Sequence, residues 1–503
     1  MSDAEAEDAV AELVQQRILV ERPGGVDVAH ERVRDAALAG LPGARARTLH
    51  RRIAESLEAH HAVRLDDHLA AIGSHYLRGE AWERAVAFFR QAGDRALAHG
   101  AHREAVACYD RALEALRALP EDRAVQEQGV DLLLTLRHAL LPLGETDRIR
   151  DALGWAAPLA ERLGDRRRQA HVAVFLGSYH WWVGEHARAY ELAARGFQSA
   201  TALGDAALCN SATYFMAISH ETRGAYRDAV RLLRPLATSA SGGISTAYGS
   251  VAAPAVFWTS HLARSLAELG EFSAARAAAA DAMRITAPLH HPFLTVHVSC
   301  SMATVALRQG RADEVIPLLE ESREITGRSA LVVFPINEWF LAYAYALVGH
   351  PEADDLLRHM ERLTDDARFT YYYPFWLTLL GEGYLLLGEV QDALTRADRA
   401  LELSRKRGER GNEGWSLRLI GDALSVLRPD SEPEIADSYR SALAIAEELG
   451  MEPLRAHCHL GLGRLERRAC RPAEAERHHG IARQLLEAMA MTRWLDGPQG
   501  EAS

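Results

Sequence analysis

The sequence predicts an all-α protein: a long array of stacked helix pairs, an α-solenoid, preceded by a small N-terminal segment holding a short β-hairpin. Three observations predict it. Turn signals recur about every forty residues. Small side chains keep a constant distance from each turn, both before and after it. Pro is concentrated in loops and helix starts, and alternating β pattern is almost confined to one stretch, RILVERPGGVDVAH (Arg17 to His30).

In chain order, that stretch reads as two short strands around a Pro-Gly-Gly turn. Next come GSHYLRGEAWERAVAFFRQA and GAHREAVACYDRA, where Ala85, Phe89 and Ala92 are matched twenty residues later by Ala105, Tyr109 and Ala112. That spacing is too short for the main period and predicts irregular packing. From there the turns fall at Gly144, Gly184, Gly224, Gly270, Gly310, Gly349 and Gly388, at intervals of 40, 40, 46, 40, 39 and 39. The step continues to Asp430 and Cys470. The long interval contains SASGGIS (Ser239 to Ser245), a loop insertion by composition. The expected divisions are 1–60, a winged-helix remnant with connecting helices; 61–143, irregular repeats; 144–492, the regular array; and 493–503, a flexible tail.

Seven residues before each turn, from the second onward, stand Gly177, Ala217, Ala263, Ala303, Ala342, Gly381, Ala423 and Gly463. Five after the turn stand Ala189, Ala229, Ala275, Val315, Ala393, Ile435 and Ala475, with the Gly349 repeat slipped to Ala353. Helices that cross closely admit only small side chains at the contact. Larger residues such as Leu176, Leu262, Leu341, Leu380 and Leu462 fill the space between layers. This is the pattern of tetratricopeptide-like repeats.

Composition excludes several function classes. The formal net charge of -12 argues against a sequence-independent nucleic-acid binder, which needs a basic face. The acidic start MSDAEAEDAVAEL is not a secretory signal, and no stretch approaches the roughly 18 apolar residues of a membrane helix. Five scattered cysteines read as reduced thiols in a cytoplasmic protein. The only lysine is Lys406, in a segment without the glycines of a phosphate-binding loop. A P-loop, a kinase lysine and a Schiff-base lysine are thereby excluded from this chain.

Stretches that look like chemistry have plainer readings. In HCHLGLGRLERRACRPAEA (457–475), His457 and His459 are two apart on a helix and point about 200° apart, so they cannot share an ion. Gly463 belongs to the small column, not to a phosphate loop. His61, His68 and His75 recur at spacing seven, which reads as one helical face without a third element to complete a metal site. No catalytic residue, cofactor or metal ligand is assigned.

Two segments carry a resemblance. VDVAHERVRDAALAGLPGARARTLHRRIAESLE (Val26 to Glu58) resembles the junction after the ATPase module of STAND-type signalling ATPases. The matching residues are Val28, His30, Val33, Arg34, Ala36, Arg47, Leu49, His50, Ile53 and Ala54. The tail from Ala446 to Asp496 is similar to the C-terminus of large bacterial class III adenylate/guanylate cyclase proteins that carry an ATPase module and tetratricopeptide repeats. The resemblance implies a winged-helix remnant followed by a repeat region in bacterial signalling. The family's catalytic residues map onto nothing here. The chain is expected to be either a freestanding repeat protein or one whose start lies further upstream.

Tetratricopeptide arrays line their concave side with the first helix of each pair. On this register the expected lining includes His171, Trp181, Tyr214, Phe257, Arg264, His297, Trp339, Tyr343, Phe375 and Glu382. Aromatics with a few charges suit a protein or peptide partner, or a small-molecule effector. The leading reading is a non-catalytic interaction or effector-sensing module, with no membrane and no direct nucleic-acid contact. The alternatives are a C-terminal fragment of a cyclase or STAND ATPase, and the regulatory half of a LuxR/MalT-like transcription activator.

Overall fold

The computed structural model describes residues 3–22, 25–30, 32–33, 36, 40–239, 254–329, 336–365 and 372–495. It divides into two compact units. One comprises 1–95 and 107–121; the other comprises 96–106 and 122–503.

The N-terminal unit opens with α1 (Asp3–Gln15) and an antiparallel hairpin of β1 (Leu19–Arg22) and β2 (Gly25–Val28), in the register Leu19 opposite Val28. Of the residues that carried the winged-helix resemblance, Arg34 lies outside the described residues. Next come α2 (Gly43–His60), α3 (Leu69–Arg78), α4 (Trp82–Ala98) and α5 (His102–Arg117). Tyr76 donates to Glu58 across α3 and α2 at 2.7 Å, and α2 and α3 belong to one compact unit, so no boundary falls at residue 60. The three seven-spaced histidines do not share a helix. His61 closes α2, residues 62–67 make a 3-10 turn, and His68 precedes α3. His61 stacks on His68, while His75 meets His50 instead, Nδ1 to Nδ1 at 3.0 Å.

The second unit is the array. Its described residues form nine helix pairs: α6 (Arg123–Leu140) with α7 (Thr146–Leu163), α8 (Arg166–Trp182) with α9 (His186–Leu203), and α10 (Ala206–Thr222) with α11 (Tyr226–Ser239). Then follow α12 (Pro254–Glu268) with α13 (Phe272–Thr286), α14 (Pro292–Arg308) with α15 (Ile316–Ser329), and α16 (Ile336–Val348) with α17 (Ala353–Asp365). The last are α18 (Tyr373–Leu386) with α19 (Val390–Arg407), α20 (Arg410–Leu427) with α21 (Glu432–Leu449), and α22 (Glu452–Arg468) with α23 (Pro472–Ala488). The array thus starts near residue 122 and not at 144, because Gly144 is the turn inside the first pair and the helix before it belongs to that pair. The expected tail also starts too early. Trp494 packs its ring 4.8 Å from His457, and Arg493 donates to the Leu347 carbonyl; 496–503 lie outside the described residues. So does nearly all of the SASGGIS insertion.

The predicted turns are left-handed. Gly184, Gly224, Gly270, Gly310 and Gly388 all have φ between 81° and 87°, where a Cβ is strained. Each closes a helix by the same bond, from Glu185 N to His180 O and from Glu271 N to Leu266 O, for example. Cys470 takes this conformation without being glycine, at φ 54°. Asp430 is an exception: it has no positive φ, and Arg428 N caps back to Leu424 O.

The small column marks the crossings. A Cβ on Gly177 would lie 3.0 Å from the Ala189 carbonyl oxygen, and one on Gly381 would lie 3.1 Å from that of Ala393. A Cβ on Gly463 would touch the His479 ring. Gly177→Val therefore forces α8 off α9. The expected cost is about 1–3 kcal/mol of stability by overpacking, read as an earlier urea midpoint with an unchanged slope.

First and second helices differ in burial. In α12 every residue from Ala255 to Glu268 is buried except Phe257. The second helices α9, α13 and α19 bury chiefly an alanine stripe. The first helices are enclosed because late repeats return onto early ones. His186 Nε2 meets Glu409 at 3.0 Å across 223 residues, and Gln309 donates to the Met489 carbonyl at 3.0 Å across 180. The Gly224 turn packs on Gly411 and Leu449, and the Gly270 turn packs on Met489 and Glu452. At roughly forty residues per repeat, the superhelix meets itself after about five repeats.

Candidate functional site

The inner face of the array carries a chain of carboxylates gripped by cations and aromatic donors, two of them by donors from distant repeats. On α10, Glu221 is 4% exposed. It receives His261 Nδ1 at 2.9 Å, the Tyr372 hydroxyl at 2.8 Å and the Arg264 Nε at 3.4 Å. Burial alone would push its carboxyl up. The closeness of His261 and Arg264, with the two hydrogen bonds, outweighs burial and holds it below the usual value. One repeat on, Glu268 accepts from Arg308 Nε at 2.8 Å and from Trp415 Nε1 at 2.9 Å, while the Arg308 guanidinium lies 3.9 Å over the Trp415 ring. Further along, Asp422 accepts from the Tyr439 hydroxyl at 2.6 Å and from Arg418 and Arg464, and Arg418 also pairs with Glu382.

Five of the ten expected lining residues come together around His261. Trp181 and Tyr214 pack on its ring at 6.3 and 5.6 Å, and His297 packs at 5.7 Å. Phe257 lies 4.6 Å from His297, and Arg264 sits 4.3 Å over the Tyr372 ring. Phe375 joins through Tyr372 and Arg308. Glu382 belongs to the Arg418 group, and Tyr343 is buried within reach of the charges of Arg418 and Arg308. Trp339 stacks on Trp376, at 5.0 Å and 14°, and Trp376 in turn meets Phe375 at 4.8 Å. His171 contacts Phe175 edge-on.

Of the ten expected lining residues, Tyr214 and Phe257 are half-buried and the other eight are buried. Several inner residues escaped the register argument: Arg137, Glu221, His261, Glu268, Arg308, Tyr372 and Trp415. One of them had a visible signal. Arg137 stands seven residues before Gly144, in the slot that holds Gly or Ala in every later repeat.

Two surface clefts complete the survey. One of about 570 Å³ in the N-terminal unit is lined by Arg51, Glu55, Glu58, Tyr76 and Arg84. Another of about 550 Å³, between α21, α22 and α23, carries Arg440, Arg455, Glu466 and Arg471 above a close pair of His459 and His478, Nδ1 to Nδ1 at 2.8 Å. His457, by contrast, turns to Trp415 and Trp494. Among the described residues, no group of three His, Cys, Asp or Glu could hold a metal ion, and no helix is long and apolar enough to cross a membrane.

Burial disfavours the charged form of several histidines. It drives His138 and His297 well below the usual value, His457 down to about 3 and His459 to about 4. A histidine whose folded pKa is depressed is protonated first in the unfolded chain. Stability is therefore expected to be flat above about pH 7 and to fall as the pH drops below about 6.5. Urea midpoints measured from pH 8 to 5 test this; a midpoint that stays level or rises on acidification contradicts it.

No protein-family model matches the sequence, and no curated protein matches it. Solved structures do show likeness. The chain resembles a Rap protein complexed with competence and sporulation factor, with a TM-score of 0.54 and 12% identity over 72% of this chain and 98% of that one. Two others are more distant. The Rap conjugation gene regulator of plasmid pLS20 with its Phr* peptide has a TM-score of 0.37 at 10% identity, over 84% of this chain and 97% of that one. A STAND signal-transduction ATPase with a tetratricopeptide-repeat sensor from Pyrococcus horikoshii has a TM-score of 0.36 at 10% identity, over 82% and 73%. The fold is a tetratricopeptide-like helical-repeat array.

Proposed function

We propose that this chain is a non-catalytic interaction or effector-sensing module of a bacterial signalling system. One observation carries the reading: the inner helices present aromatic and charged side chains (Arg137, His171, Tyr214 and Phe257 among them) where an array built only for packing would bury aliphatics. Helical-repeat arrays use such inner faces to hold peptides, partner helices or small effectors. A Rap protein of similar fold is complexed with competence and sporulation factor, which supports a peptide or protein partner here. Descent from STAND-type or cyclase-linked signalling proteins, and a cytoplasmic location, belong to the same proposal. They rest on the Val26–Glu58 and Ala446–Asp496 resemblances and on the scattered cysteines.

The test is affinity capture from the native cell followed by mass spectrometry. The wild type is compared with Tyr214→Ala/Phe257→Ala, chosen because both residues are only half-buried, with the variant's fold confirmed by circular dichroism. The expected result is a partner retained by the wild type and lost from the folded double variant. Identical capture by both, or nucleotide hydrolysis or cyclisation by the purified chain, overturns the proposal.

A further inference from the structure

Among the described residues, Arg137 is a buried cation without a counter-charge. It projects from α6 toward α8 and is 4% exposed. Its Nη2 donates to the Ser178 hydroxyl, and its Nη1 lies 3.3 Å from His138 Nδ1. The guanidinium covers the Phe175 ring at 4.9 Å. No carboxylate among the described residues pairs with it; Asp131, on the same helix, is taken by Arg168 at 2.9 Å. Two polar atoms of the cluster are buried without a hydrogen-bond partner, Arg137 Nε and His138 Nε2. Desolvation depresses the guanidinium pKa to about 10, against about 12.5 in water.

Every other inner cation of the array is answered. Arg264 has Glu221, Arg308 has Glu268, and Arg418 has Glu382 and Asp422. Arg137 also breaks the small-residue column, taking the slot of Gly177 and Ala217. A buried, unpaired guanidinium opposes folding, because desolvation of the charge is not returned by a partner.

We propose that Arg137 is the anchor of a carboxylate site on the inner face of the first repeats, receiving the anionic end of an effector. The unused Nε–H and a neighbouring Nη–H form the side-on fork that matches a planar carboxylate bidentately. A single positive charge suits a monoanion better than a dianionic phosphate. Ser178 and His138 Nε2 supply further polar partners. Phe175, His171 and Tyr214 give the wall for an aromatic or apolar body, and His138 and Tyr214 are only half-buried. The proposal rests on the effector-sensing reading and names the chemistry that the effector must carry.

The experiment measures the thermal midpoint of the full chain at fixed ionic strength with benzoate, and with neutral benzamide as control. For the wild type, saturating benzoate is expected to raise the midpoint by about 2 °C or more and benzamide to leave it unchanged. Arg137→Met is expected to lose the benzoate response while unfolding, in benzoate-free buffer, at the same or a higher temperature than the wild type. That second result separates a waiting anion site from a structural arginine, whose loss lowers the midpoint. Arg137→Lys keeps the charge but not the fork, and its benzoate affinity should fall about tenfold. Short peptides ending in Phe, as free acids and as amides, identify the source: stabilisation by the free acids alone points to a peptide C-terminus, and stabilisation by benzoate without any peptide points to a small organic acid. No benzoate response in the wild type, an equal response in Arg137→Met, or a lowered midpoint in benzoate-free Arg137→Met overturns the site. The capture experiment decides the broader reading separately: a partner held by the wild type and lost from Tyr214→Ala/Phe257→Ala, with no benzoate response in the wild type, sinks the carboxylate site alone.

Discussion

Glu221→Ala is expected to destabilise the array by about 3–5 kcal/mol, the cost of removing one partner from a buried ion pair. The substitution strips Arg264 and His261 of their carboxylate and leaves the Tyr372 hydroxyl without its acceptor. It also cuts a bond spanning 151 residues, so α10 loses its tie to the start of α18. Urea unfolding followed by circular dichroism at pH 7 measures the loss. Glu221→Gln should cost less, since an amide oxygen still accepts from Tyr372 but does not neutralise Arg264. The pH dependence has a definite sign. The folded-state pKa of Glu221 lies below the ordinary 4.5, so its contribution is present at neutral pH and is lost as pH falls through the lowered value. The gap between wild type and Glu221→Ala should accordingly narrow in acid. A gap that is small at pH 7, or that widens on acidification, contradicts this account of the centre.

The parts of the fold that were legible in the sequence are the local ones. A helix pair needs a turn and a close crossing, and both leave marks within a few residues: left-handed glycines such as Gly184 and Gly270, and small residues such as Gly177 and Gly381. The turns between pairs were harder to see. Gly164, Gly204, Gly408 and Gly450 hold them in four repeats, but His290 and Tyr372 do so elsewhere, so the column is chemically mixed. Self-closure of the superhelix left no local mark at all. His186 and Glu409 meet across 223 residues, and nothing near either one announces the other. This is also why the inner lining was half legible. A register places Trp339 or Arg264 on a first helix, but whether that surface is open depends on repeats four or five further along. His61, His68 and His75 failed for the opposite reason, since a seven-residue spacing presumes one continuous helix and a 3-10 turn interrupts it.

Trp415→Ala is expected to cost about 3–5 kcal/mol, as for other buried aromatic truncations. More than volume is lost. The indole of Trp415 on α20 donates to Glu268 on α12, 147 residues earlier, and carries Arg308 on its face. Trp415→Phe keeps an aromatic face and removes only the N–H, so about 1–3 kcal/mol is expected from the weakened Glu268 centre. The reference is Val426→Ala on the same helix: Val426 is 61% exposed, and its loss should change stability by no more than about 0.5 kcal/mol. Hydrogen exchange distinguishes a local cavity from a loosened closure. If early and late repeats hold each other shut through Glu268, Trp415→Ala speeds amide exchange in α12 as well as in α20. Among the described residues α6 and α7 bond to neither Trp415 nor Glu268, so exchange there should remain unchanged. Faster exchange confined to α20 would mean that the two ends of the bond are energetically independent, and the enclosed inner face would then rest on packing alone.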